Sequence, residues 1–454
     1  MKNSTIYFLG IGGIGMSALA QYFLSEHYAV YGYDRTPSPI TDMLVRKDAR
    51  IHFEPDIAKI PQALEFAVYT PAVPESNPEF CHLRECGVPL YKRSQVLGHI
   101  TERMPAIAVA GTHGKTTSTA MVSHLLSPET RILAFIGGIA KNFNDNFVLD
   151  EHPVIAVAEA DEFDRSFLTM HPSVAVITAA DADHLDIYGN REEMLNAFRQ
   201  FALQSKILIV EETIAGLFEH PCKRTYGTGT DASYSAFDLR LSPNCATFSL
   251  RMPDGREIRD LILHANGRYN ILNATAAIAT LIEQKNLDTA LPIDVSDEHI
   301  INKLKTFAGV KRRFDYIVNQ NGRIFIDDYA HHPQEIQSFI TAVRSIYPGK
   351  HVCGIFQPHL YSRTRDFAEQ FAEVLSELDE TLLLPIYPAR ERPIPGIDSE
   401  HLAALIKNPC KRVIGKTELI PYLKQHTPEV LLTIGAGDID RLIPQIKREV
   451  YGCS

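Results

Sequence analysis

Runs of consecutive apolar residues alternate with helix-period stretches along most of the chain. TIYFL (5–9), AIAVA (106–110), VIAVAEA (154–160), VAVIT (174–178) and KILIV (206–210) are followed by RIFID (323–327), HVCGIF (351–356), TLLLP (381–385) and VLLTIG (430–435). Unbroken apolarity, as opposed to strict alternation, predicts strands buried on both faces, as in a parallel sheet covered by helices. Strands separated by helical patterns read as βαβ units. One stretch breaks the rhythm: within 233–264, ATFSLRM leads through Pro253-Asp254-Gly255 into REIRDLILH, which predicts an antiparallel hairpin. Ile336, Phe339, Ile340, Val343 and Tyr347 trace one helix face and are expected in a core.

Two interruptions divide the chain. A polar stretch at 89–104 precedes a fresh strand, and GVKRRF (309–314) precedes the strand at 323. The expected domains are therefore 1–103, 104–315 and 316–454. The fold class is α/β in three domains: a Rossmann-like first domain, a P-loop domain with a small β insertion, and a Rossmann-like C-terminal domain.

The 454 residues are enough for two to four domains, and 45% hydrophobic with 22% charged residues is an ordinary globular composition. Asp and Glu total 55 against 45 Lys and Arg, a formal charge of −10. That balance argues against a general nucleic-acid or membrane-surface binder, while a local basic pocket for phosphate stays open. The seven cysteines form no CxxC pair and no zinc spacing, which fits reduced thiols in a cytoplasmic enzyme. No apolar stretch is long enough to cross a bilayer, and Met1 runs into a strand without a charged leader and cleavage site.

Two glycine-rich loops carry the first chemistry. Gly10-Ile11-Gly12-Gly13-Ile14-Gly15 lies between a strand and a helical pattern, and Asp34 ends the next strand-like run. Such glycines let backbone N–H groups approach a pyrophosphate at a helix N-terminus, as NAD- or FAD-binding folds do. They also serve a plain tight turn. Gly111-Thr112-His113-Gly114-Lys115-Thr116-Thr117 has the same strand–loop–helix setting. Its N–H groups would cradle phosphates, Lys115 would reach the β- and γ-phosphates, and Thr116 would ligate Mg²⁺. Val109 stands where a full Walker A motif has glycine.

Glu159 and His184 follow the next two strands as candidate metal ligands, although His184 also reads as a loop or core histidine. Asp327-Asp328-Tyr329-Ala330-His331-His332-Pro333 closes a later strand, where ligand sites of α/β sheets lie. Lys311-Arg312-Arg313 is either a solvated charge run or a phosphate clamp.

Taken together, GIGGIGMS, GTHGKTT, EADEFDRSFL, DHLDIYG, NGRYNILNA, GVKRRFD, DDYAHHPQEI, FQPHLYSRT, YPARERPIPG and GAGDI run in order through essentially the whole chain. The sequence resembles the Mur ligases, the ATP-dependent amide-forming enzymes of peptidoglycan precursor synthesis. The resemblance implies that the first domain binds UDP of a sugar substrate through Gly10, Gly12, Gly13, Gly15, Asp34 and Thr70. It implies that Gly111 to Thr117 bind ATP, with Thr116, Glu159 and His184 holding Mg²⁺. Asn270 and Asn273 would recognise adenine, unless they serve as helix caps. Arg313 would take the γ-phosphate and Asp328 the ribose, in a C-terminal domain that closes over ATP. His331 and His332 would face the amino acid or the transferring phosphate.

FQPHLYSRT and YPARERPIPG resemble the branch that joins L-alanine to the lactyl carboxylate of UDP-N-acetylmuramate through an acyl phosphate. The alternatives are the branch adding a recycled murein tripeptide and, from another class, an NAD-dependent oxidoreductase. The expected partners are UDP-N-acetylmuramate, L-alanine and ATP, with no nucleic acid or membrane, in a monomer or weak homodimer. The sequence departs from the family at Tyr269, where histidine is usual, and at TAADADH before His184.

Overall fold

The computed structural model describes residues 4–181, 185–243, 245–389 and 391–453. The first sheet is wholly parallel, in the order Arg50–His52, Ala29–Tyr33, Thr5–Leu9, Phe66–Tyr69, Leu90–Lys92. The order reverses beside Thr5–Leu9, so a crevice opens at that strand's carboxyl end, where the GIGGIG loop sits. Helix Ile14–Ser25 follows with Gly13 at its cap, and Met16 to Phe23 are all buried.

A second sheet runs Glu257–Leu263, Ala246–Arg251, Tyr234–Leu241, Lys223–Gly227, Ile207–Glu211, Val174–Ile177, Ala106–Ala110, Ile155–Glu159, Ile132–Ala140, Asp145–Leu149. Its middle is parallel, and strands Val174–Ile177 and Ala106–Ala110 are wholly apolar and buried, as the unbroken runs predict. The expected hairpin is present as Ala246–Arg251 and Glu257–Leu263, and Tyr234–Leu241 adds a third strand beside it, so that the segment extends this sheet. Strand Tyr234–Leu241 pairs parallel to Lys223–Gly227 through Tyr226 and Gly227, and the Met252–Arg256 turn joins the last two strands. The first two sheets share one apolar cluster, in which Phe8, Leu19 and Phe23 join Ala108, Phe135 and Phe201.

The third sheet has the order Asp315–Gln320, Arg323–Asp328, Val430–Ile434, Val352–Phe356, Glu380–Leu383, Lys411–Val413. Only its first pair is antiparallel. Helix Pro333–Ile346 buries Ile336, Phe339, Ile340 and Val343 in the core of this sheet, the face read from the sequence.

The chain forms two compact units. One holds the residues up to Asp238 with Phe248–Ile262 and Ile271–Ala308; the other holds Leu239–Thr247, Leu263–Asn270 and the chain from Gly309 onward. The two short segments are built into the second unit. Asn266 Nδ2 donates to Ser242 O at 2.7 Å, and the Tyr316 and Tyr347 hydroxyls donate to Pro243 O at 3.3 and 3.4 Å. All seven cysteines are free, and no helix among the described residues is long and apolar enough to cross a membrane.

Candidate functional site

In the first sheet the glycine loop is shaped by close approaches. Gly10 has φ +85°, and a Cβ there would lie 2.6 Å from Thr70 Cγ2. Asp34 turns its carboxylate onto the loop: Oδ2 accepts from Gly12 N at 2.8 Å and Oδ1 from Thr36 N at 3.0 Å. The carboxylate at the position that reads a dinucleotide ribose here also braces its own loop. Arg93, which the sequence reading passed over, lies against Gly15 and pairs with Asp161 at 3.3 Å.

The second glycine loop joins strand Ala106–Ala110 to helix Lys115–Leu126. Gly111 has φ +134° and Gly114 φ +80°, conformations that L side chains rarely adopt. A Cβ on Gly111 would stand 2.8 Å from Ala179 N, so the loop presses on the backbone after strand Val174–Ile177. Thr112 N donates to Ala179 O at 3.1 Å, and His113 Nε2 faces Asp181 at 3.4 Å.

Lys115 Nζ folds back to donate to Gly111 O at 2.6 Å and to Glu162 at 2.8 Å. Burial opposes its charge, but Glu162, Asp161 and Glu159 outweigh that and hold the ammonium above its ordinary value. Thr116 and Thr117 are buried in the first helical turn. Glu159 ends the neighbouring strand Ile155–Glu159, and its Oε2 accepts from Gly137 N at 3.1 Å. A Cβ on Gly137 would collide with that carboxylate, so glycine keeps its place open.

Asn273 is buried with Oδ1 accepting from Ser118 Oγ at 3.2 Å, and a Cβ on Gly114 would come within 2.7 Å of it. Asn270, on the same helix, donates through Nδ2 to Asn266 O at 2.6 Å. That helix begins at Arg268, so neither asparagine is its cap. His184 lies outside the described residues.

In the second unit, strand Arg323–Asp328 ends on two buried carboxylates. Asp327 accepts from Thr433 Oγ1 at 2.7 Å and faces Arg312 Nε at 3.3 Å. Burial nevertheless pushes its carboxyl up to about 7. Asp328 accepts from Phe314 N at 2.7 Å and Ala330 N at 2.8 Å, and burial pushes it up to about 6 against the pull of Arg313. The guanidinium carbons of Arg312 and Arg313 sit 4.9 and 5.2 Å from the Tyr329 ring centre. The basic run is thus packed against its own loop. Among the described residues the buried Tyr269 hydroxyl finds no hydrogen-bond partner, and nearby Asp328 adds to burial in raising the phenol.

His331 and His332 differ in environment. His332 caps helix Pro333–Ile346, its Nδ1 accepting from Gln334 N at 3.4 Å, with its ring edge-on to Phe367. His331 is partly buried with Nδ1 3.1 Å from Tyr329 O, and loss of solvent lowers the imidazole below its ordinary value. Glu162 and Glu335, not singled out in the sequence, are the acidic partners at the two loops. Both stood inside quoted motifs, EADE and HHPQE.

Among the described residues no group of three or more His, Cys, Asp or Glu is arranged around a metal. Thr116 and Glu159 fit Mg²⁺ all the same. They are hard oxygen donors, Gly137 keeps the carboxylate's space clear, and Mg²⁺ commonly takes one or two carboxylates with phosphate oxygens.

Profiles of three domains match the chain: "Mur ligase family, catalytic domain" over residues 5–104, "Mur ligase middle domain" over 109–281, and "Mur ligase, glutamate ligase domain" over 312–439. UDP-N-acetylmuramate–L-alanine ligases from Porphyromonas gingivalis and Flavobacterium psychrophilum are each 43% identical to it, over 98% of this chain and 98% of theirs. The crystal structure of a UDP-N-acetylmuramate–alanine ligase from Thermotoga maritima matches with a TM-score of 0.81 at 28% identity, covering 99% of both chains. A murein peptide ligase from Psychrobacter arcticus shares the fold, at a TM-score of 0.69 and 20% identity over 99% of both chains.

Proposed function

The chain belongs to the Mur ligase family, and from that premise we propose that it uses ATP to join the amine of L-alanine to the lactyl carboxylate of UDP-N-acetylmuramate. The observation that carries this reading is the match at 43% identity, over nearly the full length, to ligases of that name. The likeness to a tripeptide-adding relative is one of fold. An oxidoreductase reading leaves the Lys115 loop without a task.

A carboxylate is a poor electrophile, so the reaction first moves the γ-phosphoryl group of ATP onto a carboxylate oxygen. The resulting acyl phosphate has a good leaving group. Transfer of this kind is served by positioning and charge neutralisation more than by a protein nucleophile. The cradle from Gly111 to Thr117 offers backbone N–H groups to the phosphates. Lys115, kept charged by its acidic neighbours, follows the charge as it moves. Mg²⁺ held by Thr116 and Glu159, with His184 as the further ligand the family implies, neutralises phosphate charge when bound.

Asn270 and Asn273 recognise adenine, Arg313 takes the γ-phosphate and Asp328 the ribose. Each Asp328 oxygen holds one backbone N–H and keeps capacity for a ribose hydroxyl. Gly10, Gly12, Gly13, Gly15 and Thr70 line the UDP site, while Asp34 holds the loop for it. His331 and His332 serve the amino acid, within a division into domains 1–103, 104–315 and 316–454.

The test is phosphate release with ATP, Mg²⁺ and UDP-N-acetylmuramate, comparing L-alanine, L-serine, glycine and the murein tripeptide. Release that requires the UDP-sugar and is fastest with L-alanine is expected. Release fastest with the tripeptide would transfer the chain to the recycling branch.

A further inference from the structure

Glu335 Oε1 lies 4.0 Å from Arg313, the proposed γ-phosphate ligand, and its other oxygen organises the loop that carries the two histidines. Its Oε2 accepts from His331 N at 2.9 Å and His332 N at 3.2 Å, and lies 3.3 Å from Nδ1 of His331. The same Nδ1 is 3.1 Å from the carbonyl oxygen of Tyr329. Both neighbours are acceptors, so the hydrogen of a neutral imidazole belongs on Nδ1 and the lone pair on Nε2.

Other groups set the charge of the ring. Burial keeps it neutral, and Arg363 and Arg313 act in the same direction; Glu335 opposes them. Tyr329 and His359 face it through their rings, at centroid distances of 5.4 and 6.3 Å.

We infer that Glu335 is a positioning residue for amide formation: it holds His331 in the tautomer whose Nε2 accepts a proton from the incoming amino group. The inference rests on the ligase reading given above. In the step, the amine lone pair attacks the acyl-phosphate carbonyl carbon and forms the C–N bond. The C–O bond to phosphate breaks with its electron pair leaving on inorganic phosphate. The proton lost by nitrogen passes to Nε2, giving an imidazolium whose Nδ1–H stays against the Glu335 carboxylate. It then passes to the departing phosphate, and the neutral ring is restored.

Glu335→Gln separates this role from plain helix capping, because an amide oxygen still accepts the two backbone N–H groups while the charge is gone. With UDP-N-acetylmuramate, ATP and saturating L-alanine, amide formation is expected to fall about a hundredfold, at the lower end of what proton transfer contributes. Acyl phosphate trapped with hydroxylamine is expected to fall far less than amide formation, a smaller loss coming through the Arg313 pair. Histidine ¹⁵N NMR of the wild type is expected to show Nδ1 protonated and Nε2 bare, whether or not the variant folds. An Nε2–H tautomer, wild-type amide formation in E335Q, or equal loss in both steps would overturn the role of Glu335. Absence of trapped acyl phosphate in the wild type would instead overturn the ligase reading beneath it.

Discussion

Lys115 is the residue whose surroundings say most about its use. A buried ammonium is ordinarily discharged by desolvation, and here three carboxylates reverse that outcome. Lys115→Ala is expected to lower ligation by about a thousandfold, the scale of losing a preorganised charge in a transition state. UDP-sugar affinity, measured by calorimetry, should stay near wild type, since Gly10 to Gly15 lie on a different sheet. Asp327 makes the opposite point. Its carboxyl is raised from about 4 in the unfolded chain to about 7 in the fold, so between those values the native state binds the extra proton. Its contribution to stability is therefore full below about pH 4 and declines as pH rises through about 7. Chemical denaturation across that range should show a falling component that Asp327→Asn removes. An unchanged slope in the variant would assign the pH dependence to other groups.

At the scale of elements, the helix Ile14–Ser25 is clasped by the strand Asp145–Leu149 through a buried amide. Asn146 Nδ2 donates to Ile14 O at 2.6 Å and to Ser17 Oγ at 3.2 Å, while its Oδ1 accepts from Gln21 at 3.2 Å. Asn146→Ala should cost about 1–3 kcal/mol, the price of stranding buried polar partners, read as a lower urea midpoint. This clasp was not legible in the sequence. The hairpin of Ile132–Ala140 and Asp145–Leu149 has Gly137 and Gly138 in its first strand, and its short second strand mixes Asp and Asn with apolar residues. The long apolar runs were legible because burial on both faces leaves no position for a polar residue. The phosphate loop was legible because its glycines and lysine answer to one geometry. Glu162 and Glu335 escaped because each acts across space on a neighbour that the motif does not name. The asparagines of NGRYNILNA were open to a capping reading, which only the helix start at Arg268 removes.

Over the whole molecule, the shared apolar cluster makes the first two sheets one cooperative body. In hydrogen exchange under rising urea, amides of Thr5–Leu9 and Ala106–Ala110 should become exposed at the same midpoint; an earlier midpoint for Thr5–Leu9 would separate them. The second unit is assembled from pieces that are not contiguous in the chain. Pro243 supplies the carbonyl for two tyrosine hydroxyls, and Tyr269 sets its ring 6.5 Å from that of Phe314. A chimera made by exchanging everything after residue 308 with another ligase would carry off those phenols and leave their acceptor behind. The second unit is therefore not a cassette with one splice point. Transplanting it requires three inserts, 239–247, 263–270 and 309 onward, moved as a set.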